Sequence, residues 1–195
     1  MPAFNITAEV FLGYSHYGAE TAEKEGQVVL SDEQVDKLVE LIKSNNGETD
    51  VERLDLEGKY PDIFEILDNE YRELAHRAAY NHWVVEGYAS GYYEDIDGAI
   101  ETCEKEYGFS FEFDEKAYRE ENGYEEDEEI DEYELEDAIS DAKSEAFDQW
   151  ISEYRSHLDE DEDADFLAEV FQLDPSIGDE DYKVQIPEEI VEMAK

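Results

Sequence analysis

Residues 26–47 read GQVVLSDEQVDKLVELIKSNNG, and the hydrophobic period changes in the middle of them. Val28, Val29 and Leu30 follow Gly26 as a short apolar run of the kind that forms a strand. Ser31 then stands three residues before Gln34, a spacing at which the hydroxyl and the amide satisfy each other's backbone donors at a helix start. Beyond it Val35, Leu38, Val39 and Ile42 recur at steps of three and four, and Asn45-Asn46-Gly47 ends the pattern. A strand that hands over at once to a helix is the unit from which the rest of the fold is read.

Upstream, Phe4, Ile6, Ala8, Val10 and Leu12 alternate with Asn5, Thr7, Glu9 and Phe11, the period of a half-buried strand that would pair with residues 28–30. Gly13 and Gly18 bracket a turn-rich stretch with Tyr14, His16 and Tyr17. Downstream, Pro61 sits where a first helical turn accepts it, and Ile63, Ile66, Leu67, Tyr71, Leu74, Ala75 and Ala78 predict a helix to about Trp83 or Val85, ended by Gly87. A third helix is expected over 95–107, with Ile96, Ile100, Cys103 and Tyr107 on one stripe and Gly108 as its stop. Phe109, Phe111 and Phe113 alternate with Ser110 and Glu112 and predict another strand, and Asn122-Gly123 marks a turn.

A long helix is predicted over 131–158, with Leu135, Ala138, Ile139, Ala142, Ala146, Trp150, Tyr154 and Leu158 as its buried stripe. A short helix around Phe166, Leu167, Val170 and Phe171, a strand at 182–186 and a helical turn opened by Pro187 complete the chain. Few strands without regular strand-helix alternation imply an α+β fold: a small, largely antiparallel sheet packed with several helices, including a long acidic helix in the second half. The 195 residues suit a single compact domain, 1–195, with a sub-division into an α+β core, 1–123, and a strongly acidic helical part, 124–195, as the alternative.

Charge decides which functions are open. Asp and Glu number 58 against 14 Lys and Arg, a net −44, and residues 91–195 hold 39 acids and 7 bases, or −32 of it. Direct binding to nucleic acid or to an anionic membrane needs clustered cations, so neither is expected. Acidic chains poor in aromatics remain disordered, but 25 Phe, Tyr and Trp give this one a core. The single Cys103 excludes an intramolecular disulfide, and a basic leader and any 18-residue apolar run are missing, so the expectation is a soluble protein of the host cytoplasm.

Catalytic signatures are missing as well. His16, His76, His82 and His157 stand in no nucleophile-base arrangement, and Cys103 on an apolar stripe reads as a core residue. Glu73 and His76 have the Glu-x-x-His spacing of carboxylate-bridged metal sites, but such sites need a second copy. Asp159, Asp161 and Asp163 resemble the start of a calcium loop, yet its sixth position would be Ala164 and its twelfth Val170, where Gly and Glu belong. No glycine-rich phosphate loop occurs. Tyr88, Tyr92 and Tyr93, beside Gly87 and Gly91, read as closing a core between helices. Neither catalysis nor a cofactor or metal is expected.

What remains is the acid itself. Asp137, Asp141 and Glu145 stand at four-residue steps with Asp148 beyond them, and Asp131, Glu134, Glu136 and Glu153 form a second flank. A helix over 131–158 is about 40 Å long, and carboxylates three or four residues apart step about 4.5 to 6 Å along it. Duplex DNA presents a phosphate about every 3.4 Å of axis on each strand. Two such rows, flanked by Glu125, Glu126, Asp127, Glu128 and Glu129 on one side and Asp159, Glu160, Asp161, Glu162 and Asp163 on the other, would match the charge of about one turn of duplex.

In size, charge, aromatic content and acidic helical scaffold the chain resembles the DNA-mimic proteins of phages and mobile elements, the anti-restriction proteins and the acidic anti-CRISPR proteins. The resemblance implies a non-enzymatic inhibitor without a cofactor that fills the nucleic-acid cleft of a host defence complex. Its partner would be a basic nucleic-acid-binding protein or effector complex, with monomer and homodimer both open. The alternative is an acidic interaction or chaperone-like module for a basic partner, with no duplex mimicry. Uniform adaptation to high salt would spread the acid evenly, which this chain does not do.

Overall fold

The computed structural model describes residues 1–15, 18–91, 95–125, 129–175 and 181–195, the side chains of residues 14 and 15 apart. His16, Tyr17, Tyr92, Tyr93, Glu126, Asp127 and Glu128 lie outside the described residues. The fold is α+β, with a three-stranded antiparallel sheet in the order β2-β1-β3. Its strands are β1 (Ala3–Ser15), β2 (Gly18–Val29) and β3 (Asp181–Tyr182). The helices are α1 (Asp32–Ser44), α2 (Leu56–Lys59), α3 (Pro61–Ala89), α4 (Ile96–Thr102), α5 (Glu115–Asn122), α6 (Glu132–Arg155), α7 (Glu160–Phe171) and α8 (Glu188–Met193), with a π-helical turn, Cys103–Tyr107, following α4. No helix among the described residues is long and apolar enough to cross a membrane.

Contacts divide the chain into two compact units, residues 1–86 with 174–195, and residues 87–173. The boundary offered as the alternative sub-division, 123/124, falls inside the second unit. In the first unit Phe4, Ile6, Ala8 and Val10 project from one face of β1 and meet Leu38 and Ile42 of α1, Ile63, Leu67 and Tyr71 of α3, and Ile186 and Ile190 in one hydrophobic cluster. The capping box at the start of α1 is formed: the Gln34 N–H donates to Ser31 Oγ at 3.2 Å, and the Ser31 N–H to Gln34 Oε1 at 2.9 Å.

The second unit has an aromatic core. Phe109 meets Phe147 and Trp150 with ring centroids 5.3 and 5.5 Å apart, and Tyr107 stands edge-on to Phe166 at 5.0 Å. Trp150 stacks on Tyr154 at 5.0 Å. Cys103 is fully buried in the π-helical turn, and that burial pushes its thiol up to about 11.

Several expectations are corrected. β2 starts at Gly18, ten residues before the apolar run, since a hairpin partner inherits its register from β1 and needs no apolar alternation of its own. Residues 109–113 form no strand: among the described residues they have no partner to ladder with, and Phe109 instead buries its ring among the aromatics. The turn at Asn122-Gly123 ends a helix, α5, that apolar periodicity did not announce. α3 passes through Gly87 and stops near Gly91, whose φ of 68° needs a glycine; one helical Gly costs only about 1 kcal/mol. Of the strand expected over 182–186 only Tyr182 is laddered, together with Asp181 before it.

Candidate functional site

A helix forms in so acidic a stretch because its ends and its rear face are well satisfied. Asp131 caps α6, its carboxylate accepting from the N–H groups of Tyr133 at 3.0 Å and Glu134 at 3.4 Å. Glu132 and Glu134 occupy the first turn, where the positive end of the helix dipole favours acid. Toward the C-terminus Phe147 and Ile151 are buried, whereas the stripe expected to be buried, Leu135 to Leu158, is only half-buried.

At about 100° per residue, Glu134, Asp137, Asp141, Glu145 and Asp148 share an arc of about 80° and span about 21 Å of helix. All five are exposed. The second row does not form: Asp131 is committed to the cap, Glu134 joins the first row, and Glu136 and Glu153 point away from it and from each other at the same angular spacing. One continuous line of carboxylates replaces the expected pair of lines.

Neither base on α6 neutralises that line. Lys143 Nζ pairs with Glu104 at 2.8 Å, and Arg155 makes two parallel hydrogen bonds to Asp163, Nε to Oδ1 at 2.7 Å and Nη2 to Oδ2 at 2.8 Å. Among the described residues the carboxylates of Asp137, Asp141, Glu145 and Asp148 enter no ion pair or hydrogen bond, while Glu134 accepts from the Tyr124 hydroxyl. Four successive like-charged neighbours at three- and four-residue steps cost about 1 to 2 kcal/mol, a cost carried by the cap and the aromatic packing.

The flanking runs behave differently. Glu125 and Glu129 are exposed, and Glu126, Asp127 and Glu128 fall outside the described residues. The run 159–163, expected as a flank of the acidic surface, is the start of α7. Asp159 is its N-cap in a capping box with Glu162, accepting from Asp161 and Glu162 N–H groups at 3.0 and 2.9 Å while its own N–H donates to Glu162 Oε2 at 3.1 Å. Asp161 is half-buried and Asp163 is held by Arg155, so of this run only Glu160 and Glu162 are fully exposed acids of the helix. Asp148, at the end of the α6 line, shares a small hollow with Arg155 and Asp163.

Comparison with protein-family models, with curated proteins and with solved structures gives no match. Among the described residues no three His, Cys, Asp or Glu side chains are grouped to hold a metal. The acids stand in a line rather than converging on a point, and a line of fixed charge suits a long basic groove. The two ion pairs that strip α6 of its own cations could not be read from the sequence, since Glu104 and Lys143 are 39 residues apart and no periodicity links them.

Proposed function

We propose that this chain inhibits a host DNA-binding defence complex, a CRISPR effector or a restriction system, by occupying its basic nucleic-acid cleft. The observation that carries this reading is the exposed line Glu134, Asp137, Asp141, Glu145 and Asp148, unneutralised along about 21 Å of helix. Carboxylates at steps of about 4.5 to 6 Å present a Lys- and Arg-lined channel with a charge density of the order of one nucleic-acid strand, and displace the same bound ions. The second unit concentrates this field: residues 87–173 hold 32 acids and 5 bases, net −27, against −17 for the first unit. Inhibition by occupancy uses no catalytic residue and no cofactor, and the protein touches the effector rather than DNA. Such an inhibitor serves a phage or mobile element evading host defence, in the host cytoplasm.

The test is displacement of labelled target DNA from purified CRISPR and restriction complexes, between about 50 and 200 mM salt, where phosphate-like contacts weaken steeply. The expected result is displacement by the native chain and a loss of about 100-fold or more for the triple variant Asp137→Lys, Asp141→Lys, Glu145→Lys, with helix content unchanged by circular dichroism. Unchanged inhibition by that variant would remove α6 from the reading. A pull-down from cells with and without a CRISPR or restriction system that returned only ribosomal or metabolic proteins would remove the reading itself.

A further inference from the structure

The outer edge of β1, in the first unit, is only partly closed. β2 ladders one edge along its length, but among the described residues β3 meets the other at Val10 and Phe11 alone. At Asn5 a side chain takes the place of a strand: the Asn5 backbone N–H and its side-chain amide both donate to Glu189 Oε1, each at 3.2 Å. Backbone groups alternate in direction along a strand, so the N–H and C=O of Thr7 face the same way as the Asn5 N–H. Among the described residues no strand is laddered to β1 at Thr7 on that side.

This edge borders a cleft of about 1550 Å³, larger than the roughly 300 to 1,000 Å³ of a small-ligand pocket. Its lining includes residues 182–187 and the apolar Leu56, Phe64, Tyr71 and Ile186. Eight of its lining residues are acidic and two basic, net −6, and one of the two bases, Lys195, is already paired with Glu192. The volume favours a length of chain over a metabolite, and the open edge favours an extended one. The charge then selects its side chains.

We propose that this cleft docks an extended Lys- and Arg-rich segment of a partner protein, which adds to β1 as a short strand at Thr7. Strand addition supplies the missing backbone partners of Thr7 and sends alternate side chains to opposite sides, so basic residues reach Glu52, Glu57 and Glu188 while apolar ones meet Phe64 and Ile186. The site is separate from the α6 line and uses none of its residues.

The experiment titrates the full-length, isotope-labelled chain with the acetylated, amidated peptide KVKVKVK and follows backbone amide shifts. Saturable shifts are expected at Thr7 and its strand neighbours and at residues 183–186. A peptide of equal charge, N-methylated at its central residue, should bind about tenfold more weakly, because it lacks a ladder donor and its methyl group meets the edge. The Glu52→Gln, Glu57→Gln variant should also bind the first peptide more weakly. Equal affinity for the two peptides, shifts confined to the α6 acids, or undiminished binding by the variant would each overturn the proposal.

Discussion

Arg155 is held on two sides within the second unit. Its guanidinium lies over the Tyr88 ring, 4.8 Å from the centroid, and forks onto both oxygens of Asp163. Replacing it by Ala leaves a half-buried carboxylate without its donor, so Arg155→Ala should destabilise the fold by about 2 to 3 kcal/mol in urea unfolding followed by Trp fluorescence. Arg155→Lys, which keeps the charge but not the fork, should fall between the two. Tyr71 sets a second expectation. Burial holds its phenol in the protonated form and pushes it up to about 12, from an ordinary 10.0. The folded chain therefore keeps a proton that the unfolded chain gives up first; the resulting stability is complete below about pH 10 and lost as pH rises toward 12. Tyr71 should account for about 2 to 3 kcal/mol of the fall in unfolding free energy across that window, and Tyr71→Phe should shrink the fall by that share.

At the scale of elements, the two capping boxes make a controlled pair. Ser31 with Gln34 opens α1, and Asp159 with Glu162 opens α7. Ser31→Ala and Asp159→Ala should each cost about 1 kcal/mol by urea denaturation, the second somewhat more because it also removes an anion from a helix N-terminus. The first box was legible in the sequence and the second was not, for a physical reason. Ser31 is a lone hydroxyl between a strand and an apolar helix, whereas Asp159 stands in a run of five acids that offers several registers for the same motif. β1 and α1 were legible because each buries one face, and period then follows burial. The expected strand at 109–113 had the right period but no partner among the described residues, and an aromatic core claimed Phe109 instead.

At the scale of the whole molecule, −44 charges repel one another throughout the folded state. Raising salt shortens the screening length from about 30 Å at 0.01 M to about 3 Å at 1 M, so the thermal midpoint should climb with NaCl over that range. A midpoint that stayed flat would mean that the charges are already neutralised. The two units should respond unequally, since the second carries net −27 on 87 residues and the first −17 on 108.

Composition and period by themselves determined the class: an acidic chain with enough aromatics to fold, an α+β order of elements, and a long helix with acids at regular steps. Those properties are local or additive, so they survive without knowledge of contacts. Tertiary structure decided which acids remain available. Arg155 reaches Asp163 and Lys143 reaches Glu104, Asp159 and Glu162 cap a helix, and two expected rows on α6 became one. A charge is spent or left over according to what packs beside it, and that is settled by residues far away in the chain.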